Sequence, residues 1–242
     1  MGFATPCNMI LTHSRTPTVT IHHWQDPETL RAKIKVLARL LRDAEHPIAY
    51  TGAGISTSSG INDYASKSKA SAATGSNARH RVKKRTGLDA DPTFAHFTLA
   101  ALHRDGNLVH WVQQNHDGLP QKAGFPQECI NEIHGAWFDP SNPVVPMSGS
   151  LRGDLYQMME DEEEAADFTL CIGTSLCGMN ADRMVETPAR RFVEQGRGLG
   201  ACIIGFQQTP MDGRRGWLAR DGCVLCQMSS VWCGGADGDR LV

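Results

Sequence analysis

One feature limits this chain more than any other: an apolar run that ends in a glycine turn. Ile48-Ala49-Tyr50 runs straight into Thr51-Gly52-Ala53-Gly54-Ile55-Ser56. Such a run is short enough for a buried strand, and the glycines allow a sharp exit toward a helix. The pattern recurs twice. Leu108–Val112 leads to Gln114-Asn115-His116-Asp117-Gly118, and Phe168–Ile172 leads to Gly173-Thr174-Ser175. In an open parallel sheet, loops of this kind gather at the carboxyl edge, where ligands bind. Glycines there let backbone approach a phosphate, and a following helix offers free N–H groups and a positive dipole end. Each loop could also be only a tight turn. Together the three favour a nucleotide-binding α/β domain.

Helical signals fill the spaces between the strands. Asp26-Pro27-Glu28 reads as a cap, a first-turn proline and a first-turn acid. Leu30, Ile34, Leu37, Leu40 and Leu41 follow at helical spacing to about Asp43. Asp91-Pro92 opens a second helix, with Phe94, Phe97, Leu99 and Leu102 behind it and Gly106 as its stop. Leu155–Ala166 and Arg183–Gln195 read as helices, and Ala201–Phe206 and Cys223–Met228 as strands. Alternating strands and helices predict a Rossmann-like parallel sheet with helices on both faces. Residues 1–25 read as an irregular arm and 26–242 as one domain.

Composition excludes several classes. The 24 basic and 26 acidic residues give a net charge of −2, so no global basic field calls for nucleic acid. No run of 18 apolar residues occurs, so no membrane span is expected. Eight cysteines are too sparse for a disulfide scaffold in a chain of 242 residues, and Met1–Gln25 lacks a compact apolar segment before a cleavage site. An intracellular compartment is expected, cytoplasmic or nuclear, with a mitochondrial address left open.

The motifs resemble those of the sirtuins, the NAD-dependent protein deacylases. Gly52-Ala53-Gly54-Ile55-Ser56-Thr57-Ser58-Ser59-Gly60-Ile61-Asn62-Asp63-Tyr64 is similar to their G-A-G-I-S signature. Gln114-Asn115-His116-Asp117-Gly118-Leu119, Ile133-His134-Gly135, Ile172-Gly173-Thr174-Ser175-Leu176 and Ile203-Ile204-Gly205-Phe206-Gln207 follow in family order. Pro92-Thr93-Phe94-Ala95-His96 resembles a family helix start.

The resemblance implies a protein-lysine deacylase that releases nicotinamide and forms O-acyl-ADP-ribose. NAD would be held by Gly52, Ala53, Gly54, Ser56, Thr57, Gly173, Thr174, Ser175 and Gln207. Nicotinamide would lie by Ile61, Asp63, Asn115 and Asp117, with Tyr64 shielding the reacting face and Gln114 on the nicotinamide ribose. His134 would be the catalytic base, with Asn115 beside it. An imidazole is the natural base at neutral pH. Val144 and Val145 would contact the acylated protein lysine. Of ten histidines, only the resemblance singles out His134.

Departures matter as much. The family's two C-x-x-C pairs, a structural zinc signal, have no counterpart: no cysteine lies between Cys129 and Cys171. Residues 136–150 therefore read as the remnant of an excised zinc module, and the small domain as reduced, with no zinc. Cys223, Cys226 and Cys233 could suggest a replacement metal site, but the Cys223–Cys226 pair sits in an apolar strand and no fourth ligand is evident, so buried thiols are the better reading. Ala65 stands where the family has arginine, Gly205 where it has asparagine, and Met147–Ser150 where it has a peptide-binding segment. Lys67 or Lys69 could supply the cation missing at Ala65. Residues 65–90 read as a cofactor-loop region, seven of whose residues between Lys67 and Arg85 are basic. Asp154–Asp167 carries seven acids, a solvated face or a docking patch. Two alternatives stay open: an NAD glycohydrolase or ADP-ribosyltransferase, and a weakly catalytic NAD or ADP-ribose binding module. His116 replaces an apolar family residue, either as an ordinary loop histidine or as part of the nicotinamide pocket.

Overall fold

The computed structural model describes residues 27–61, 89–146, 148–174, 176, 180–204 and 231–233. Helix α1 spans Pro27–Asp43 and strand β1 Pro47–Thr51. A 3-10 helix, Ala53–Ser59, follows the glycine turn. Helix α2 (Phe94–Arg104), β2 (His110–Gln113), the single turn α3 (Leu119–Lys122) and β3 (Ile130–Glu132) come next. Then follow α4 (Gly153–Ala165), β4 (Phe168–Ile172), α5 (Arg183–Gln195), β5 (Gly200–Ile204) and β6 (Val231–Cys233).

The sheet order is β3-β2-β1-β4-β5-β6. The chain steps outward from β1 on one side, then crosses back to β4 on the other. The reversal at β1 and β4 is the topological switch point, and it fixes where a ligand crevice opens. β1 through β5 pair in parallel, as the alternation predicts. β6 does not: it runs antiparallel to β5, with Cys202 opposite Cys233.

Side-chain alternation along the strands builds two cores. Ile48, Tyr50, Val112, Cys171, Ala201 and Ile203 face Met159 of α4 and Met184, Val185 and Ala189 of α5. Ala49, Trp111, Phe168, Leu170 and Cys202 face Leu41 of α1 and Leu99 and Ala100 of α2. Each strand is buried on both sides, which is why β1 and β4 read as near-continuous apolar runs. Trp111 packs edge-on to Phe125, ring centroids 5.1 Å apart, and its indole N–H donates to Thr51 Oγ1 at 2.7 Å. That bond ties the carboxyl ends of β1 and β2 together beneath the glycine loop.

Helix α5 carries Pro188 in its interior, yet it holds. A proline there deletes the N–H that would satisfy the carbonyl of Met184 four residues earlier. Thr169 Oγ1 of β4 donates to that carbonyl at 2.8 Å instead. The strand thus supplies the hydrogen bond the helix lacks.

Several boundaries differ from expectation, and α4 begins at Gly153 rather than Leu155. β2 begins at His110 rather than Leu108, although Val109 N–H still reaches Pro47 O at 2.8 Å. β5 begins at Gly200, whose φ of +82° lets the chain turn in from α5. Asp91-Pro92 does precede α2, but the cap is Thr93. The arm at 1–25 and the strand expected at Cys223–Met228 lie outside the described residues.

Candidate functional site

The three glycine-bearing loops meet at the carboxyl ends of β1, β2 and β4. Gly52 N–H donates to Ile172 O at 3.1 Å and Gly54 N–H to Gly173 O at 2.8 Å. A Cβ on Gly52 would lie 2.6 Å from Gln114 Oε1 and 2.8 Å from Thr174 Cβ. One on Gly54 would lie 2.7 Å from Gly173 O, and one on Gly173 (φ +68°) 2.5 Å from Ile55 N. These glycines are therefore required first by loop-on-loop packing. The helix that follows is a seven-residue 3-10 stretch, so the long dipole expected from the sequence is not what shapes this corner. Thr57, exposed, donates Oγ1–H to Gly54 O at 3.0 Å, and Thr174 Oγ1 accepts Leu176 N–H at 3.2 Å. Ala53 and Ile61 are half-buried at the two ends of the same stretch.

Beneath the glycine loop lies a directed hydrogen-bond chain. Asn115 Nδ2 donates to Gly52 O at 3.2 Å and to Ser56 Oγ at 3.0 Å. Ser56 Oγ–H donates to Asp117 Oδ2 at 2.7 Å, and Asp117 Oδ1 accepts Leu119 N–H at 3.1 Å. An ionised carboxylate only accepts, so every proton in the chain has one place to be. All three side chains are buried. The Q-N-x-D spacing thus holds the first glycine loop from below.

His134 arrives from the other side, on the segment after β3. Its Nδ1–H donates to Gln114 O at 3.3 Å. A carbonyl cannot donate, so the neutral ring keeps its lone pair on Nε2. Burial pushes the imidazole below its usual range, and His116 adds to this; the bond to Gln114 and the charge of Asp182 pull the other way. The ring is neutral at pH 7, as a base must be.

The segment that carries His134 turns back within ten residues. Gly135 has φ +89°, and a Cβ there would lie 2.3 Å from Pro143 O. Ala136 N–H donates to Asn142 O at 2.9 Å, Val145 N–H to His134 O at 2.9 Å, and Asn142 Nδ2 to Glu132 O at 3.1 Å. His116 clamps this turn twice: its carbonyl accepts Trp137 N–H at 2.9 Å, and its Nδ1–H donates to Gly135 O at 2.9 Å. His116 is therefore a buried tether rather than an exposed loop histidine. Trp137, Phe138 and Val144 stay 47%, 41% and 40% exposed along the same turn.

The sequence itself points one way. No family-level profile matches the chain. Over 110 residues, 46% of the chain, it is 39% identical to the NAD-dependent protein deacetylase sirtuin-7 of Rattus norvegicus. That stretch is 27% of the rat protein's length, so the chain spans about a quarter of it. It is 26% identical over 232 residues to an NAD-dependent protein deacetylase of Saccharolobus solfataricus, covering 76% of this chain and 90% of that one. Its fold is similar to that of a Sir2 homologue solved in complex with NAD, with TM-score 0.57, 20% identity, and coverage of 73% and 84%.

In sequence the chain is similar to the sirtuins.

The structure brings together Gly52, Ala53, Gly54, Ser56, Thr57, Gln114, Asn115, Asp117, His134, Gly173 and Thr174. Val145 joins them through its bond to His134 O, and Val144 lies exposed beside it. Asp63, Tyr64, Ser175 and Gln207 lie outside the described residues, as do Ala65, Lys67, Lys69, Met147, Gly205, Cys223 and Cys226. Sequence reasoning passed over Tyr50 and Asp182, because an apolar-run tyrosine and a helix-start aspartate look ordinary. Among the described residues, no group of three or more His, Cys, Asp or Glu is placed to hold a metal ion. Cys171 and Cys202 are buried in adjacent strands, and Cys129 is half-buried before β3.

Proposed function

We propose that this chain is a sirtuin-type NAD-dependent protein-lysine deacylase that works without that family's zinc module. One observation carries the reading. A neutral histidine with a committed Nδ1–H stands within one loop cluster with an Asn–Ser–Asp chain and two interlocked glycine turns, at the switch point of a parallel sheet. The donor set suits NAD. Amide, hydroxyl and carboxylate groups match ribose hydroxyls and a carboxamide, and the backbone at Gly54 is exposed at the same loop cluster.

NAD supplies an electrophilic ribose carbon and a leaving nicotinamide. The residues of this chain do the rest. Asn115 and Asp117, locked through Ser56, present a rigid polar wall to the nicotinamide side. Gln114 offers an amide to the ribose. His134 Nε2 takes a proton from a ribose hydroxyl, and the resulting imidazolium is stabilised by Gln114 O and the nearby charge of Asp182. Val144 and Val145, next to His134, give the acylated lysine an apolar edge; the exposed Trp137 and Phe138 extend that edge where the excised module would have stood. The acyl-lysine of a protein is the partner, without nucleic acid or membrane. No helix among the described residues is long and apolar enough to cross a membrane.

The test is to incubate the chain with NAD, with and without an acetyl-lysine peptide, and to follow nicotinamide and O-acetyl-ADP-ribose. Peptide-dependent formation of both is expected, and it should stop in His134→Ala. Nicotinamide release without peptide would instead assign glycohydrolase or transferase chemistry, and NAD binding without release a binding module. Because His134 titrates below the usual histidine range, the acid limb of kcat/KM should fall below about pH 6.5. One tightly bound zinc per chain by metal analysis would overturn the zinc-free reading.

A further inference from the structure

Asp182 lies just before α5 and is 1% exposed. A buried carboxylate is costly unless it is well partnered, so its partners reveal its use. Tyr50 Oη–H donates to Asp182 Oδ1 at 2.9 Å. Gln114 Nε2 donates to Asp182 Oδ1 at 3.4 Å and also to Tyr50 Oη. Tyr50 is fully buried, and both its burial and the neighbouring carboxylate push the phenol well above its usual range. It stays protonated and gives its single proton to Asp182. Its oxygen is then left to accept.

The amide of Gln114 thus meets two acceptors on one side. Only its nitrogen can face them. Its oxygen must point the other way, and it does: Oε1 is the atom that a Cβ on Gly52 would strike at 2.6 Å. A glutamine on a surface loop flips its amide freely. Here one carboxylate and one phenol decide the orientation from below.

We infer that Tyr50 and Asp182 are positioning residues that lock the Gln114 amide, so that it presents its carbonyl oxygen as a hydrogen-bond acceptor to a ribose hydroxyl of NAD beside Gly52. The inference rests on the NAD reading above. Neither residue touches the reacting atoms. Both act through Gln114, and Asp182 also acts at a distance on His134, whose other charged or titratable neighbour among the described residues is His116.

Tyr50→Phe deletes the hydroxyl and keeps the ring. Asp182→Asn keeps the shape but can face Gln114 with either an oxygen or a nitrogen, so the amide is free to turn. A lost net hydrogen bond to a ligand hydroxyl corresponds to about a five- to tenfold change in affinity. NAD titration calorimetry on both variants should show Kd rising by about that factor, with thermal melts confirming that each is folded. In a Gln114→Ala background, Tyr50→Phe should change Kd no further, because the two act as one unit. Asp182→Asn should also move the acid limb of kcat/KM to lower pH, since it removes a charge that favours the imidazolium. Tyr50→Phe should leave that limb in place. Folded variants that bind NAD like the parent chain overturn the inference. So does a Tyr50→Phe effect undiminished in the Gln114→Ala background. A parent chain that fails to bind NAD removes the proposed function, and this inference with it.

Discussion

Removing one hydroxyl, in Ser56→Ala, should cost this chain a measurable share of its stability. Ser56 is fully buried and sits in the middle of the Asn115–Ser56–Asp117 chain. Its Oγ–H is one of the donors to a buried carboxylate, at 2.7 Å. A hydrogen bond to a charged acceptor is worth about 1.5–3 kcal/mol net. Its Oγ also accepts from Asn115 Nδ2, but that amide keeps Gly52 O as a second partner, so this loss stays near the lower end of about 0.5–1.5 kcal/mol. The sum is about 2–4 kcal/mol. At about 2–4 °C per kcal/mol for a chain of this size, Tm should fall by roughly 4–16 °C. Urea unfolding followed by tryptophan fluorescence measures the free energy directly, since Trp111 is buried in the same half of the sheet. Asp117→Asn should cost a comparable amount for a different reason. Two donors, Ser56 Oγ–H and Leu119 N–H, converge on the two carboxylate oxygens, and an amide can accept at only one of its two ends. A Ser56→Ala cost below about 0.5 kcal/mol, the range of an ordinary surface change, would refute the directed chain and the rigid wall built on it.

Gly135→Ala forces a side chain into φ +89° and against the Pro143 backbone; strain of about 1–2 kcal/mol plus overpacking of about 1–3 should lower both Tm and kcat/KM, because the displaced segment carries His134. Thr169→Val should cost about 1–3 kcal/mol in urea unfolding, since it strands the Met184 carbonyl that Pro188 leaves without a helical donor. His96 is buried, and burial lowers its pKa to about 4; its Nδ1 accepts Thr93 N–H at 3.1 Å as the return bond of the α2 cap. The unfolded ring takes up its proton near pH 6.5, before the folded one does, so stability falls as pH drops from about 6.5 to about 4, by up to about 3 kcal/mol. His96→Gln, which can accept from the same N–H, should flatten that part of the stability–pH curve in urea titrations at several pH values.

Much of this fold was legible in the primary structure because it depends on local pattern. Buried parallel strands must be apolar on both faces, so Ile48–Tyr50 and Phe168–Ile172 announce themselves. The helices before and between them follow from spacing and caps; α1 and α5 fall within a residue of their expected ends. β3 and β6 are three residues each, too short for a period to show, and the antiparallel pairing of β6 depends on how the chain returns. Pro188 gives the sharper lesson. By local rules it should break α5, and it is a threonine in a neighbouring strand that lets the helix continue.

The candidate site divides in the same way. Residue order alone pointed to the sirtuin resemblance, the glycine loops and the choice of His134, because ordered motifs are a one-dimensional property. What those residues do to one another is three-dimensional. Only the folded chain decided that Gly52 and Gly54 are held small by Gly173, Thr174 and Gln114, that His116 clamps the histidine-bearing turn, and that Tyr50 and Asp182, 132 residues apart, meet beneath Gln114. A hydrogen bond needs two groups within about 3 Å, and the sequence states their identities but never their separation in space.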